Sequence, residues 1–437
     1  MKKKSPFSSG DPLCEIIQAH KQGEPVGIYS ICSANRSVLQ AAMRSHRDHD
    51  AILLIESTCN QVNQEGGYSG MTPAQFTLYL QVIAGDMNFP IERIVLGGDH
   101  LGPNPWKKEK ASIAMGKAEK LVADSVAAGY VKIHLDTSMP CGDEATLSAE
   151  TIAERSAQLC LQAEKTAREN GLPAMPVYVI GTEVPSPGGM TVAQSKESPI
   201  TSVEFADQTL QIYRHVFSQY GLEDAFRRII AMVVSPGAEF NDKEIYPYDH
   251  EKTMSLSKFI DPIPGMVYEA HSTDYQTPQI LKQMVEDHFA ILKVGPALSF
   301  AFREAVFRLA AMENELIFPE DSRSHIVDVL LATMRKQPSH WKSYYSGKSK
   351  EIRFGLKFGY SDRIRYYWGY SEVQTAYQKL MINLGKKYLP LTLISQYFPD
   401  LYPMVRNKTI DALPLSLVFN SIERVLLQYQ KACGLIE

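Results

Sequence analysis

The chain has 437 residues, 44% of them hydrophobic and 22% charged, with 45 Lys plus Arg against 49 Asp plus Glu for a formal net charge of -4. This is a soluble, core-forming composition sized for one large domain or two to three ordinary ones. The charge balance excludes a basic footprint for nucleic acid and a polybasic membrane patch, and no run reaches the roughly 18 apolar residues of a membrane span.

The basic Met1-Lys2-Lys3-Lys4 runs into Ser5-Pro6-Phe7-Ser8-Ser9-Gly10 with no apolar core, so residues 1–11 are expected to be a disordered lead and not a signal peptide. Eight short apolar, β-branched runs follow: 26–31, 51–55, 93–97, 130–135, 177–180, 229–234, 266–270 and 290–294. Near-continuous apolar runs are what parallel strands look like when both sheet faces are covered.

Helical segments lie between them. Thr72-Pro73 supplies a cap and a first-turn proline, Ser148 precedes a helix that stops at Gly171, and the segment from Thr209 ends before Gly221. Eight strand-helix units over residues 12–318 match an α/β (β/α)8 TIM barrel better than an open doubly wound sheet. From residue 319 to 437 the alternation stops, and Tyr, Lys and Arg-rich helical pieces (326–335, 415–428) predict a helical C-terminal extension packed on the barrel or building an oligomer contact.

Active sites of parallel barrels form at the C-terminal ends of the strands. Those ends read Glu56, Asp99-His100, His134/Asp136, Glu183 and His271, so five of eight strands finish on carboxylates or imidazoles. His134 and Asp136 are two apart and share a strand face. Oxygen and imidazole donors converging without thiolates favour a zinc, manganese or magnesium-type ion. The plain alternative for His134 is a histidine hydrogen-bonded within a polar barrel layer. Glu286 and Asp287 are read as solvated helix faces. Gly66-Gly67, Gly188-Gly189 and Gly295-Pro296 are turns whose amides would approach an anion, and Asn60 and Gln61 suit sugar hydroxyls. The six cysteines are scattered, without a CxxC pair, which suits a reducing cytoplasm and small buried side chains.

Six motifs carry a resemblance. They are Glu56-Ser57-Thr58-Cys59-Asn60-Gln61-Val62-Asn63-Gln64, Gly97-Gly98-Asp99-His100-Leu101-Gly102-Pro103-Asn104, Lys132-Ile133-His134-Leu135-Asp136, Ile180-Gly181-Thr182-Glu183-Val184-Pro185, Glu269-Ala270-His271-Ser272-Thr273-Asp274-Tyr275-Gln276-Thr277 and Ser361-Asp362-Arg363-Ile364-Arg365-Tyr366-Tyr367-Trp368. Together they resemble the Z-type subunit family of tagatose-1,6-bisphosphate aldolase, from about residue 12 to the C-terminus. Relatives have been labelled tagatose-6-phosphate kinases, yet the sequence holds no GxxxxGK[ST] loop.

The resemblance implies a subunit that supports a separate class II aldolase subunit, and distant kinship to the zinc-dependent class II aldolases. In that pattern Asp99-His100 fits the Asp-His pair and His271 the last histidine. The middle histidine is missing, because Val233-Val234-Ser235-Pro236-Gly237 occupies its strand end, and Glu183 or His134 is the candidate replacement.

Two functions are therefore expected. One is a stabilising, activating component of a tagatose-1,6-bisphosphate aldolase in galactitol or N-acetylgalactosamine catabolism. The other is a metal-dependent ketose-phosphate 4-epimerase working by retro-aldol chemistry. The site expectation names Asp99, Asp136 and Glu183 as catalytic and Glu56, Asn60, Gln61, Gly295 and Arg365 as substrate-binding. It gives His100, His134, Glu183 and His271 to the metal. A phosphorylated ketose and a class II aldolase subunit are the expected partners, in an oligomer.

Overall fold

In the computed structural model, residues 10–182 and 200–436 are described. Eight parallel strands close into a barrel in which neighbours follow chain order: β1 Ile28–Ile31, β2 Leu53–Thr58, β3 Ile94–Leu101, β4 Lys132–Leu135, β5 Val177–Ile180, β6 Ile229–Val233, β7 Val267–Ala270 and β8 Ile291–Val294. All eight correspond to the apolar runs. The expected (β/α)8 barrel with C-terminal helices is the fold.

Period-two alternation divides each strand between two cores. Tyr29, Ile31, Leu53, Ile55, Ile94 and Leu96 face outward to the helices. Ile28, Leu54, Val95, Val177, Val267 and Ile291 fill the interior at the N-terminal end of the strands. The helix Asp11–Lys21 seals that end, with Leu13 and Ile17 packed into the same inner cluster. This helix begins on the last residue assigned to the lead, and a proline in its first turn marks the start. Lys21 holds it in place by donating to the Ile260 carbonyl at 2.7 Å.

The caps read from sequence are present. Thr72 forms a capping box with Gln75, Ser148 accepts from the Thr151 amide, and Gly171 ends its helix in the left-handed conformation. Among the described residues, a short antiparallel hairpin, Glu239–Phe240 with Ile245–Tyr246, follows β6 and has no counterpart in the sequence reading. Asp287, read as solvated, is buried and accepts from Tyr248 Oη at 2.6 Å; its helix ends there, so the side chain turns inward.

The C-terminal extension shares the outer core. Its last helix, Pro414–Ala432, packs against helices Arg36–Ser45, Pro278–Glu286 and Pro296–Leu316, closing over the first and last barrel units. A second anchor lies at the mouth. Asp362 accepts from Ser299 Oγ at 2.6 Å and pairs with Arg303 at 3.3 Å, fixing the turn Arg363–Tyr366 above the C-terminal end of β8. No helix among the described residues is long and apolar enough to cross a membrane.

The seal at the base is testable. Ile17→Ala removes three carbons from the inner core and is expected to cost about 2–5 kcal/mol in urea unfolding. A loss below about 1 kcal/mol would show that the helix does not close the barrel.

Candidate metal centre and substrate cavity

Above its apolar base the barrel interior becomes ionic. Lys132 Nζ lies 2.9 Å from Glu56 and 2.6 Å from Glu269, and Lys293 Nζ lies 2.8 Å from Glu56, 3.2 Å from Asp99 and 3.7 Å from Glu269. Ser30 Oγ donates to Glu56 at 2.6 Å. Gly97 makes room, since a Cβ there would meet Glu56 Cγ at 2.9 Å. Charges buried this deeply persist only when paired.

The histidines stand above this layer, each against a carboxylate. His100 Nδ1 is 2.8 Å from Asp136, His134 Nδ1 is 3.0 Å from Asp99, and His271 Nε2 is 3.1 Å from Glu269. The three ring centres form a triangle with sides of 4.8, 5.0 and 5.2 Å. Imidazoles sharing an ion at about 2.1 Å hold their ring centres about 5 Å apart. Donor atoms of Asp99, His134, Glu269 and His271 all lie within 4.8 Å of one another. The buried His134 Nε2 has no hydrogen-bond partner, an exception that asks for a ligand. These residues fit a divalent metal.

Local backbone geometry makes this convergence possible. Adjacent residues on a regular strand point to opposite faces. Yet Asp99 and His100 both line the cavity, because β3 shifts register between Gly98 and Leu101 and His100 takes φ 52°. Left-handed backbone at a residue with a side chain costs about 1–3 kcal/mol and clusters at functional sites.

The electrostatics follow. Burial pushes Asp99 up, but His100, Lys293 and the bond from His134 hold it well below the usual carboxylate range. Asp136 is likewise raised by burial and brought down to about 2 by His100. Burial draws His271 down to about 4 against the pull of Glu269. Burial lowers His100, and Asp99 and Asp136 more than reverse it. Four carboxylates (Glu56, Asp99, Asp136, Glu269) thus face two ammonium groups, a surplus of two negative charges before the histidines are counted.

The structure sorts the remaining site candidates. Asp99, His100, His271, Asn60, Gln61 and Gly295 line the cavity, together with Lys293, Arg365 and Tyr366. His134 and Asp136 sit behind that wall. Glu56, expected against substrate, lies a layer lower with its carboxylate committed to the two lysines; its place in the middle of the barrel, not at its rim, is the reason. Gly295 does not offer its amide to a ligand, because Gly295 N and Ala297 N both donate to Asp274, at 3.1 and 2.8 Å. The Gly66-Gly67 amides are spent inside their own loop on Asn63. Gln61 braces Thr58 and Cys32, whereas the Asn60 carboxamide makes no bond among the described residues. Glu183 and Gly188-Gly189 lie outside the described residues. Cys32, read with the buried thiols, is half-buried on the cavity wall.

Lys132, Lys293 and Glu269 were not singled out from sequence. The signal was there: a charge inside an apolar strand, two residues from His134 in one case and from His271 in another.

An adjoining chamber shares Arg365 and Tyr366 with the cavity and ends on Ser33, Asn35 and Ser299. Arg365 Nη1 is held by the Ser361 and Asp362 carbonyls, and Nη2 donates to Tyr366 Oη at 2.9 Å. Arg363 instead stacks on Tyr344, 3.2 Å from the ring centre.

Residues 13–434 match the family described as D-tagatose-1,6-bisphosphate aldolase subunit GatZ/KbaZ-like. The chain belongs to that family. Its role is therefore related to tagatose-bisphosphate aldolase. Among solved structures, it is similar to a probable tagatose 6 phosphate kinase from Sinorhizobium meliloti 1021, at 44% identity and TM-score 0.85, covering 93% of this chain and 100% of that one. It is faintly similar to the YdjI aldolase from Escherichia coli K12, at 10% identity and TM-score 0.43, over 71% of this chain and 89% of that one. A fructose-bisphosphate aldolase from Campylobacter jejuni is as distant, at 13% identity and TM-score 0.45, over 73% and 85%.

The ionic layer makes a stability prediction for this family member. Lys132→Met leaves Glu56, Glu269 and Asp99 to share Lys293 alone and is expected to cost about 3–5 kcal/mol in denaturant unfolding. Adding Glu56→Gln is expected to return part of that loss. Equal stability of the single variant and the wild type would refute the network.

Proposed function

We propose that this chain is itself a catalyst, a metal-dependent ketose-phosphate 4-epimerase that interconverts tagatose and fructose 6-phosphates by retro-aldol and aldol steps. The observation that carries this reading is the buried, net-negative cluster of histidines and carboxylates opening onto a cavity that also holds an arginine. A scaffold gains nothing from four carboxylates inside its barrel.

His134, Glu269 and His271 supply two imidazoles and one carboxylate, a donor set known from catalytic zinc sites, and His100 adds a third imidazole. A zinc, manganese or magnesium-type ion held there would act as Lewis acid on the C2 ketone. Asp136 orients the His100 ring through Nδ1. Asp99 stands on the cavity wall as the carboxylate that takes the C4 hydroxyl proton. Lys293, 3.2 Å from Asp99, keeps that carboxylate in place. Asn60 offers its free carboxamide to sugar hydroxyls. Arg365, where the cavity meets the second chamber, takes the sugar's phosphate. With C1 to C3 held at the cluster and the phosphate at Arg365, the C3–C4 bond breaks, the aldehyde turns, and re-addition inverts C4.

The 44% identical protein from Sinorhizobium meliloti is named a probable kinase, but no nucleotide loop stands in this sequence, and the cavity residues suit carbon–carbon chemistry. A second reading rests on the family's description as an aldolase subunit. It makes the chain a stabilising and activating partner of a class II tagatose-1,6-bisphosphate aldolase, working as an oligomer in the cytoplasm in galactitol-type catabolism.

The purified chain alone is expected to convert tagatose 6-phosphate to fructose 6-phosphate, to lose that activity in EDTA, and to regain it with zinc or manganese. No conversion with either metal added would sink the epimerase; an unchanged rate in EDTA would sink its metal. Activation of a separately purified class II aldolase by a His134→Ala variant would favour the subunit reading. Arg365→Met is expected to raise KM for the phosphorylated ketose by about 10 to 100-fold, the worth of one charge-assisted hydrogen bond, while leaving KM for unphosphorylated tagatose unchanged. An equal rise in KM for both sugars would refute the phosphate contact.

A further inference from the structure

Inverting C4 poses a proton problem that Asp99 alone does not solve. If the phosphate end stays at Arg365 and the C1 to C3 portion stays at the donor cluster, turning the aldehyde exchanges the positions of the C4 hydrogen and the C4 oxygen. The oxygen that gave its proton to Asp99 then points to the opposite side of the cavity. A second group must stand there to protonate it, because an alkoxide is a poor product at neutral pH.

We infer that Tyr366 is the second acid/base group of the site, giving its phenolic proton to the C4 oxygen of one epimer and taking it back from that epimer in reverse. The inference rests on the epimerase reading above. Asp99 reaches the cavity from strand β3, whereas Tyr366 reaches it from the turn Arg363–Tyr366 of the C-terminal extension, and both line the same space. The phenol oxygen accepts two hydrogen bonds from guanidinium groups, from Arg363 Nη1 at 3.2 Å and Arg365 Nη2 at 2.9 Å. It donates to no described residue, so its proton is the one left for a ligand. Two cationic donors on one phenol oxygen stabilise the phenolate. Burial alone raises the phenol, and Arg365 and Arg363 together bring it below the usual tyrosine range.

The ring is held rigidly. It stacks on His340 with centres 4.9 Å apart and planes 3° from parallel, and meets the edge of Tyr68 at 4.5 Å. A proton donor must be positioned to within a fraction of an ångström, and this packing leaves the side chain little freedom.

The step balances without a co-reactant. The C4 hydroxyl proton moves to the Asp99 carboxylate, and the C3–C4 electron pair passes into the three-carbon enediolate. Re-formation of the bond places the charge on the C4 oxygen, which takes the Tyr366 proton. Proton exchange with water then resets Asp99 and the phenolate.

Tyr366→Phe removes one oxygen and keeps the ring stack. Two measurements on the full-length, metal-loaded protein test it. The first is interconversion of tagatose and fructose 6-phosphates, expected to fall by about 100-fold or more. The second is condensation of dihydroxyacetone with glyceraldehyde 3-phosphate, the two fragments that cleavage at C3–C4 gives. The wild type is expected to make both C4 epimers, and the variant to make one, which also shows that the variant is folded. Conversion retained to within about 5-fold, both epimers still formed, or both lost together would overturn the assignment to Tyr366. No conversion by the wild type would instead overturn the epimerase reading on which it rests.

Discussion

A surplus of negative charge inside a closed barrel is the constraint from which the site's architecture follows. Glu56, Glu269, Lys132 and Lys293 occupy the barrel's middle layer, where most barrels place branched aliphatic residues. Two lysines balance two of the carboxylates; Asp99 and Asp136 remain, each against an imidazole. Removing such charges from water is costly, and replacing a buried ion pair by apolar groups is often neutral or stabilising. A layer retained at that cost is better explained by what it does electrostatically than by what it does for stability. It creates a deep negative field beneath three histidines, a setting that fits a dication.

The end of β6, where the sequence resemblance led to the expectation of a histidine, is apolar. Val233 ends β6, and Val233 and Val234 are both buried apolar side chains, which offer no donor to an ion. The third ring of the triangle comes from His134, on β4, with centres 5.0 and 5.2 Å from His100 and His271. Asp99 backs the His134 ring as Asp136 and Glu269 back the other two, so each ring is oriented by a carboxylate. This correspondence supports the reading of His134 as a ligand over that of a histidine satisfied within a polar layer, because its Nε2 has no partner among the described residues.

The strands were legible because parallel strands buried on both faces leave unbroken apolar runs, and the helix starts because Thr72, Ser148 and Gly171 carry the chemistry that caps require. The polar strand ends were legible for the same reason: Asp99-His100 and His271 interrupt those runs at one end. What escaped was pairing across long sequence distance. Lys132 meets Glu56 across 76 residues, and nothing local announces that a charge in one strand answers a charge in another. The bulge at His100 also escaped, since left-handed backbone at histidine has no sequence signature comparable to glycine's. Gly295 misled for a physical reason. A glycine at a helix start offers amides to an anion, and here the anion is the protein's own Asp274.

That internal carboxylate fills a place where other barrels bind phosphate. In many barrels the helix after strand eight binds it through free amides. With Asp274 already there, a second anion on the same amides would meet like charge. Burial lifts Asp274 to about 6 while the Ala297 and Gly295 amides draw it down, so above that pH it carries its charge. Lys293 is committed to carboxylates, so among the described residues the cationic group left on the cavity is Arg365, brought in by the C-terminal extension and fixed through Asp362, Ser299 and Arg303. This guanidinium comes from the extension and not from the barrel, as does Tyr366, whose phenol accepts from it. The extension is therefore part of the site and not an appendage to it. It contributes the Arg365 guanidinium and the Tyr366 phenol to the cavity wall.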